Sequence, residues 1–566
     1  MKKNLAIAAL FFCNVARAES PKSDAEFDQL VDEYYAGYPA AHPTAATELG
    51  LHQQDRALED YSPNGIATEH ARLKWWQTRW SAIAEKNKLS PGRNRDLRLV
   101  KQSILSQLVE LDDVQGYRRL PDFYSGLASR TVYCLIKRDF APAEKRIESV
   151  IARQEKIPLL LAAGKHNLGR VSKVAVDVAL EEIPSTIDFF EKDVPLAFVG
   201  VKDETKKARL TASTEKAVSA LKDYEQFIKE KLAPHADGPI AIGETTFRKK
   251  LFADEMVDAP TGALLASAEM ELQRLQNQFH ATAKLIDPQH SFRQVQEEMT
   301  RDHSTPENVI VDVQARLGAL RQFLVDHKIV SLPNQTLPKV QETPPFMRAM
   351  SMASMETPGP FETHSTDAFY SVTLPEKGWK KEQVEDYMRG AFNQPLLDVV
   401  SIHEAFPGHY VQFIWLPHVK STVRKFESAA SNAEGWAHYC EQMLLDEGFG
   451  SGDAKLRLGQ LQDALLRAAR YVVSIRMHTR DMSFDEAKHF FHDQGYQSEK
   501  VAEMEAKRGT EDPTYLYYTF GKLEVLRLRE DYKKKMGKKY SLQKFHDAFL
   551  LEGAMPLPLV REALLQ

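Results

Sequence analysis

Cysteine is scarce in this chain: Cys13, Cys134 and Cys440 are the only three in 566 residues. That count excludes a disulfide-stapled scaffold, and neither Cys134 nor Cys440 has the His-plus-Cys spacing of a zinc finger. The two either pair, which an oxidising compartment would permit, or stay as buried thiols. Long apolar runs are missing as well. Beyond the N-terminus no segment offers the roughly 20 apolar residues that a membrane helix needs. No strong excess of either charge exists, the net value being -5, so nothing electrostatic points to nucleic acid as a partner. Internal repeats, low-complexity tracts and flexible linkers are also absent, and nothing demands independent domains. The composition, 43% hydrophobic and 27% charged, is that of a folded chain with a sizeable core.

The N-terminus carries an address. Lys2 and Lys3 precede an apolar run from Leu5 to Phe12, and Ala16-Arg17-Ala18 is a small-x-small cleavage signal. Residues 1–18 are therefore expected to be a signal peptide, with the mature chain starting near Glu19. The run is too short to span a bilayer. Phe11 and Phe12 stand where a lipidated Cys13 would need small residues. The expected protein is exported, periplasmic or extracellular, with no stable membrane insertion after cleavage.

Most of the mature chain reads at helical period. Ala217, Leu221, Tyr224 and Ile228 form one stripe, which stops before Pro234. Leu264, Ala268, Leu272, Leu275 and Phe279 form another, with Pro260-Thr261-Gly262 at its start. Between about Leu337 and Pro375 the texture changes: Pro344, Pro345, Pro358, Gly359 and Pro360 break helices, and Phe369 to Leu374 reads as a strand. The expected fold is mainly α, a long helical N-terminal part, a small β insert and a helical C-terminal part. The N-terminal part covers residues 19–336 and the part with the β insert 337–566, together one continuous architecture.

Chemistry concentrates in Ser401-Ile402-His403-Glu404-Ala405-Phe406-Pro407-Gly408-His409-Tyr410. Neutral imidazole is a favoured zinc ligand, and catalytic zinc usually takes three protein ligands and leaves a position for water. Histidines four apart share a helix face, but His409 lies six after His403, about 240° around an ideal helix. Pro407 and Gly408 answer that objection, since together they can break the helix and return His409 to the side of His403. The third ligand is expected from a second helix, at Glu434 in Asn432-Ala433-Glu434-Gly435-Trp436-Ala437-His438. His438 is its rival, and Glu441 is placed to orient a ligand from behind.

These motifs resemble a large bacterial family of candidate zinc peptidases marked by H-E-A-x-P-G-H-H followed by E-G-W-A. That family is catalogued as a domain of unknown function and is similar in mechanism to gluzincin-type oligopeptidases. His403 to His409 fit the first motif, which this chain leaves at Tyr410, where a second His is usual; His409 is then the better ligand. Glu434 to Ala437 fit the second without change, and His438 occupies a position usually apolar in relatives. Arg470 to His478 resembles a further family segment, with Ser474 and Arg476 where Asp and Gly are usual, and keeps His478. Pro513 to Lys522 is similar to the family's C-terminal Pro…Tyr-x-x-Gly segment, with Tyr518 three before Gly521. Thr47-Glu48-Leu49-Gly50, followed by Asp55 and Leu58, also matches.

Motifs and resemblance together imply a large helical metallopeptidase-like architecture with the small β insert beside the active-site cleft, residues 337–566 being the catalytic part with its metal-binding helices, and one zinc ion per chain on His403, His409 and Glu434. Glu404 would act as general base and Tyr518 or His478 as donor to the oxyanion, in hydrolysis of short or unfolded peptides. The strand from Phe369 would pair with peptide backbone, and Arg470 or Arg529 is available for a substrate carboxylate. A non-catalytic periplasmic binder of peptides or metal is the alternative from another class, and Glu404 argues against it because a binder needs no base. A zinc esterase or amidase keeps the same site on a non-peptide substrate. Oligomeric state is not legible.

Overall fold

The computed structural model describes residues 22–86, 88–348 and 352–566. The expected signal segment lies outside them. The fold is mainly α, with one three-stranded sheet among the described residues.

Local signals explain where the helices begin and end. Helix Glu204–Phe227 starts where the Asp203 side chain accepts the Thr205 and Lys206 N–H groups. Its stripe of Ala217, Leu221, Tyr224 and Ile228 is fully buried. Regular winding gives way to a wider turn over Ile228–Leu232 and a tight one over Ala233–His235, where Pro234 has no N–H to continue the ladder. Helix Thr261–Ile286 begins after Pro260 and buries Leu264, Ala268, Leu272, Leu275 and Phe279. It packs along helix Ala454–Thr479, which is buried on nearly every side, as a helix at the centre of a large core must be.

Three large cores organise the chain. One joins the first helices to helix Val309–Asp326, the sheet and the C-terminal helices; a second is built on residues 124–232 together with Phe346; a third binds residues 247–299 to 458–516. All three cross the point between residues 336 and 337, the second through Phe346, so the N-terminal helices and the later part share apolar interior. Cys134 and Cys440 are both buried free thiols, which settles the choice left open by the sequence.

The sheet consists of β1 (Lys339–Glu342), β2 (Ala353–Glu356) and β3 (Phe369–Val372) in the order β1-β3-β2. β1 runs parallel to β3 and β2 antiparallel to it. This corrects one expectation. The strand from Phe369 is the middle strand, its Tyr370, Ser371 and Val372 almost fully buried, and offers no edge to a peptide. β2 is an edge strand, and Met352 to Met355 line a cleft. The Thr47–Gly50 segment supports the insert from outside: Gly50 has φ +88, and Gly359 lies against the Leu49 backbone where any Cβ would collide.

Candidate metal centre

The first ligand helix, Gln394–Glu404, is started by Asn393, whose side chain accepts the Leu396 N–H, and it ends on Glu404. Ala405 to Gly408 form the break, with a cis Phe406–Pro407 peptide, and a new helix runs from His409 to Trp415. The chain folds back closely enough for the Gly408 N–H to donate to the Ile402 carbonyl at 3.0 Å. A Cβ on Gly408 would lie 1.7 Å from the His403 carbonyl oxygen, so glycine alone fits. The two rings that an unbroken helix would separate now stand 4.8 Å apart, centroid to centroid, at 86°.

Glu434 comes from helix Ala430–Asp446. This helix crosses helix Tyr517–Met536 in backbone contact: a Cβ on Gly435 would come within 2.5 Å of Gly521, and one on Gly521 within 2.0 Å of the Ser431 carbonyl. The glycines of the two motifs are thus one contact, and that contact brings Glu434 and Tyr518 into the same cleft. Trp436 ties the helix to the break by donating Nε1–H to the Pro407 carbonyl at 3.0 Å. At the helix start, buried Glu255 accepts the Ser431 N–H and hydroxyl.

His403, His409 and Glu434 converge as the sequence proposes, each offering one ligand atom within 4.8 Å of the others. Glu434 Oε2 lies 3.3 Å from His403 Nε2 and 3.2 Å from His409 Nε2. Yet Glu434 Oε2 is a buried oxygen that makes no hydrogen bond to either ring. Tetrahedral arms of about 2.0–2.1 Å would set neighbouring ligand atoms about 3.3 Å apart. Close approach without hydrogen bonding, from two imidazoles and a carboxylate, therefore fits a shared divalent cation of zinc type. Burial, with Arg467 beside it, pushes the His403 ring down to about 3, so it is neutral as a ligand must be. Glu434 is held well below the usual carboxylate range: burial opposes ionisation, but the charge of His409 beside it outweighs that cost.

Behind His403 the network is dense. Its Nδ1 lies 2.7 Å from Glu441 Oε1, so an Nδ1–H donated there leaves the Nε2 lone pair facing Glu434. The other Glu441 oxygen takes His438 Nδ1 at 2.9 Å. His438 is thus a second donor on Glu441 and stands outside the converging set, which removes it as rival ligand. Arg467, from helix Ala454–Thr479, is 3.4 Å from Glu441 and paired with Asp463.

The centre opens into a cleft of about 490 Å³, lined among others by Glu404, Tyr518, Arg467, Arg470, Arg508 and β2. That volume suits a small or extended ligand. Glu404 Oε2 is buried without a partner, and burial pushes this carboxyl up to about 7 against the pull of His409. The Tyr518 ring lies 6.3 Å from the His403 ring, and its hydroxyl accepts Arg508 Nη2–H at 2.7 Å. Burial pushes that phenol up to about 12, so it keeps its proton at neutral pH.

His478 is not brought to the cleft. It is fully buried at the far end of its helix, with Nε2 2.7 Å from the Gly509 carbonyl, and the oxyanion role expected of it is withdrawn. Arg529 donates to Tyr439 and does not line the cleft, while Arg470 is held by Glu505 through two bonds of 2.6 Å. Sequence reading missed Asp463, Arg467 and Arg508. The first two were detectable as opposite charges four apart around the apolar Ala464-Leu465-Leu466; Arg508 had no such signal.

Fold and site together define a mainly α protein with a His-His-Glu group, its two histidines buried, able to hold a metal ion in a cleft. The chain belongs to the bacterial family of proteins of unknown function DUF885, whose profile matches residues 43–564. It is similar to a candidate lipoprotein of unknown function from Shewanella oneidensis, at 25% identity and TM-score 0.77, over 95% of this chain and 100% of that one. A candidate lipoprotein from Colwellia psychrerythraea shares the fold at 18% identity and TM-score 0.80, over 96% and 98% of the two chains. None of the curated proteins matches.

Proposed function

We propose that this protein is an exported zinc-dependent peptidase acting on short or unfolded peptides. The observation that carries the reading is Glu404: a buried carboxylate with an unpartnered oxygen, next in sequence to a ligand and in the same cleft as the three ligand atoms. A binding protein gains nothing from such a group, whose burial costs stability unless it serves a purpose.

Zinc on His403, His409 and Glu434 would supply Lewis-acid polarisation of the carbonyl and lower the pKa of a water. Glu404 takes the proton of the attacking water at Oε2 and delivers it to the nitrogen of the leaving amine as the C–N bond breaks. Tyr518 accepts Arg508 Nη2–H and so keeps its own O–H to donate to the carbonyl oxygen as negative charge builds there. The edge of β2 along the cleft favours an extended peptide backbone over a small ester or amide.

Export rests on the N-terminal pattern of Lys2, Lys3, the apolar run and Ala16-Arg17-Ala18. The candidate-lipoprotein description of the two similar structures supports it. Among the described residues no helix is long and apolar enough to cross a membrane.

The test is hydrolysis of a mixed peptide library by the mature protein, by the chelated protein and by Glu404→Gln loaded with zinc. The reading expects cleavage by the first alone, restored in the second by adding zinc. Cleavage by zinc-loaded Glu404→Gln at the unmutated rate would remove Glu404 as the base, and hydrolysis of esters but no peptides would move the substrate class.

A further inference from the structure

Three guanidinium groups stand over the Tyr518 ring: Arg467 at 5.5 Å, Arg470 at 4.6 Å and Arg508 at 5.4 Å from its centroid. All three line the cleft, but they are not equivalent. Arg467 is paired with Asp463, and Arg470 makes its two bonds to Glu505. Arg508 donates to the neutral Tyr518 hydroxyl, and no carboxylate of a described residue forms an ion pair with it. Glu505 and Asp512 are near enough to be felt electrostatically, without pairing.

A cation in a partly desolvated cleft is costly unless its charge is met. The guanidinium fork matches a carboxylate in two parallel bonds, and its neighbour Arg470 displays that match with Glu505. Arg508 has the same chemistry with the carboxylate missing. It bonds to the Tyr518 hydroxyl, whose ring lies 6.3 Å from that of His403, and it lines the same cleft as the three candidate metal ligands, so a peptide held there with a bond at the metal centre has this guanidinium within the same cleft. Every linear peptide carries one carboxylate that does not depend on its sequence, at its C-terminus.

We propose that Arg508 receives the C-terminal carboxylate of the substrate, so that the bond hydrolysed lies close to that end and the products are a shortened peptide and a C-terminal amino acid or small peptide. The proposal rests on the peptidase reading above and adds the substrate class to it. Tyr518, held by the same guanidinium, couples recognition of that end to the group facing the scissile carbonyl.

The experiment compares kcat and KM of the zinc-loaded full chain on one peptide in three forms: free acid, C-terminal amide, and amide with Glu as last residue. Each is also assayed with its N-terminus acetylated. Arg508→Gln and Arg508→Lys are measured alongside, with zinc content and melting temperature as folding controls. The expected result is a preference for the free acid of at least about tenfold in kcat/KM, carried mainly by KM and indifferent to acetylation. That ratio should fall toward one in Arg508→Gln and stay intermediate in Arg508→Lys. Should Arg508→Gln fail to fold, the unmutated ratio and Arg508→Lys still decide.

Equal rates on acid and amide, or a preference that survives Arg508→Gln, would overturn the proposal while leaving the peptidase intact. A Glu-terminated amide as good as the free acid would reassign Arg508 to an acidic side chain. A rate lost on acetylation would place recognition at the amino end. No hydrolysis of any form by zinc-loaded protein would overturn the peptidase reading, and this proposal with it.

Discussion

Two kinds of buried histidine occur within this fold, and they differ in where their nitrogens point. His546 is fully buried, with Nδ1 2.7 Å from the Ile329 carbonyl and Nε2 2.9 Å from the Tyr439 hydroxyl. Burial pushes it down to about 3. His403 is almost as buried and pushed down just as far, yet its Nε2 and that of His409 aim at a carboxylate oxygen to which neither hydrogen-bonds. Burial and a depressed pKa are thus common to a packed histidine and a candidate ligand. What separates them is the convergence of donor atoms left without hydrogen bonds.

The carboxylates repeat the contrast. Glu255 and Glu404 are both buried and both pushed up to about 7, chiefly by burial. Glu255 is answered by the Ser431 backbone and hydroxyl, whereas Glu404 keeps an unpartnered oxygen over the cleft. One holds the start of the helix that carries Glu434; the other has something left to bind.

Breaking the comparison is most direct at the ligands. His409→Ala should reduce zinc from one per chain toward none, and turnover by on the order of 10³-fold or more, with the fold retained by circular dichroism. His546→Phe should do the reverse: zinc stoichiometry stays at one, but the Ile329 carbonyl loses its donor and the Tyr439 hydroxyl, which keeps the Arg529 bond, loses the acceptor of its O–H, at about 1–3 kcal/mol for each buried group. Denaturant unfolding reads that loss.

Next in size is a pH effect at Glu255. Its pKa is raised on folding from 4.5 to about 7, so the folded state binds the proton more tightly. The associated stability is fully present below pH 4.5 and is lost as the pH rises through about 7, on the order of 3 kcal/mol in all. Glu255→Gln, which cannot ionise, should flatten that part of the stability profile; an unchanged slope between pH 4.5 and 7 would refute the assignment. The smallest effect is expected at Glu441→Gln, which keeps the shape but weakens the acceptor of His403 Nδ1–H. Zinc affinity should fall about 10–100-fold, measured by chelator competition, with full occupancy recovered at high zinc.

Much of this site was legible in the sequence because its determinants are local. His403, Glu404 and His409 sit within seven residues, and Pro407-Gly408 announces the break that their spacing requires. Glu434 followed from a carboxylate in an apolar helix, and Glu441 from its position two turns on. The helical stripes were equally plain, since Ala217 to Ile228 and Leu264 to Phe279 repeat at the period that burial imposes. What escaped depends on pairing between distant segments. The strand from Phe369 reads the same whether it is an edge or a centre, and only partners from Lys339 and Ala353 decide which. Gly521 looks like any helical glycine until Gly435 is packed against it. His478 kept its place in a motif but serves the Gly509 carbonyl, and Arg508 is distinguished only by lacking the carboxylate that Arg467 and Arg470 each possess.

The decisive measurement is metal content by mass spectrometry on the full mature chain, on Glu434→Gln and on His438→Ala, each purified in parallel. One zinc per chain in the unmutated protein and in His438→Ala, with little or none in Glu434→Gln, is the expected result. Metal retained by Glu434→Gln and lost from His438→Ala would move the third ligand to His438, and no metal in any of the three would contradict the centre itself.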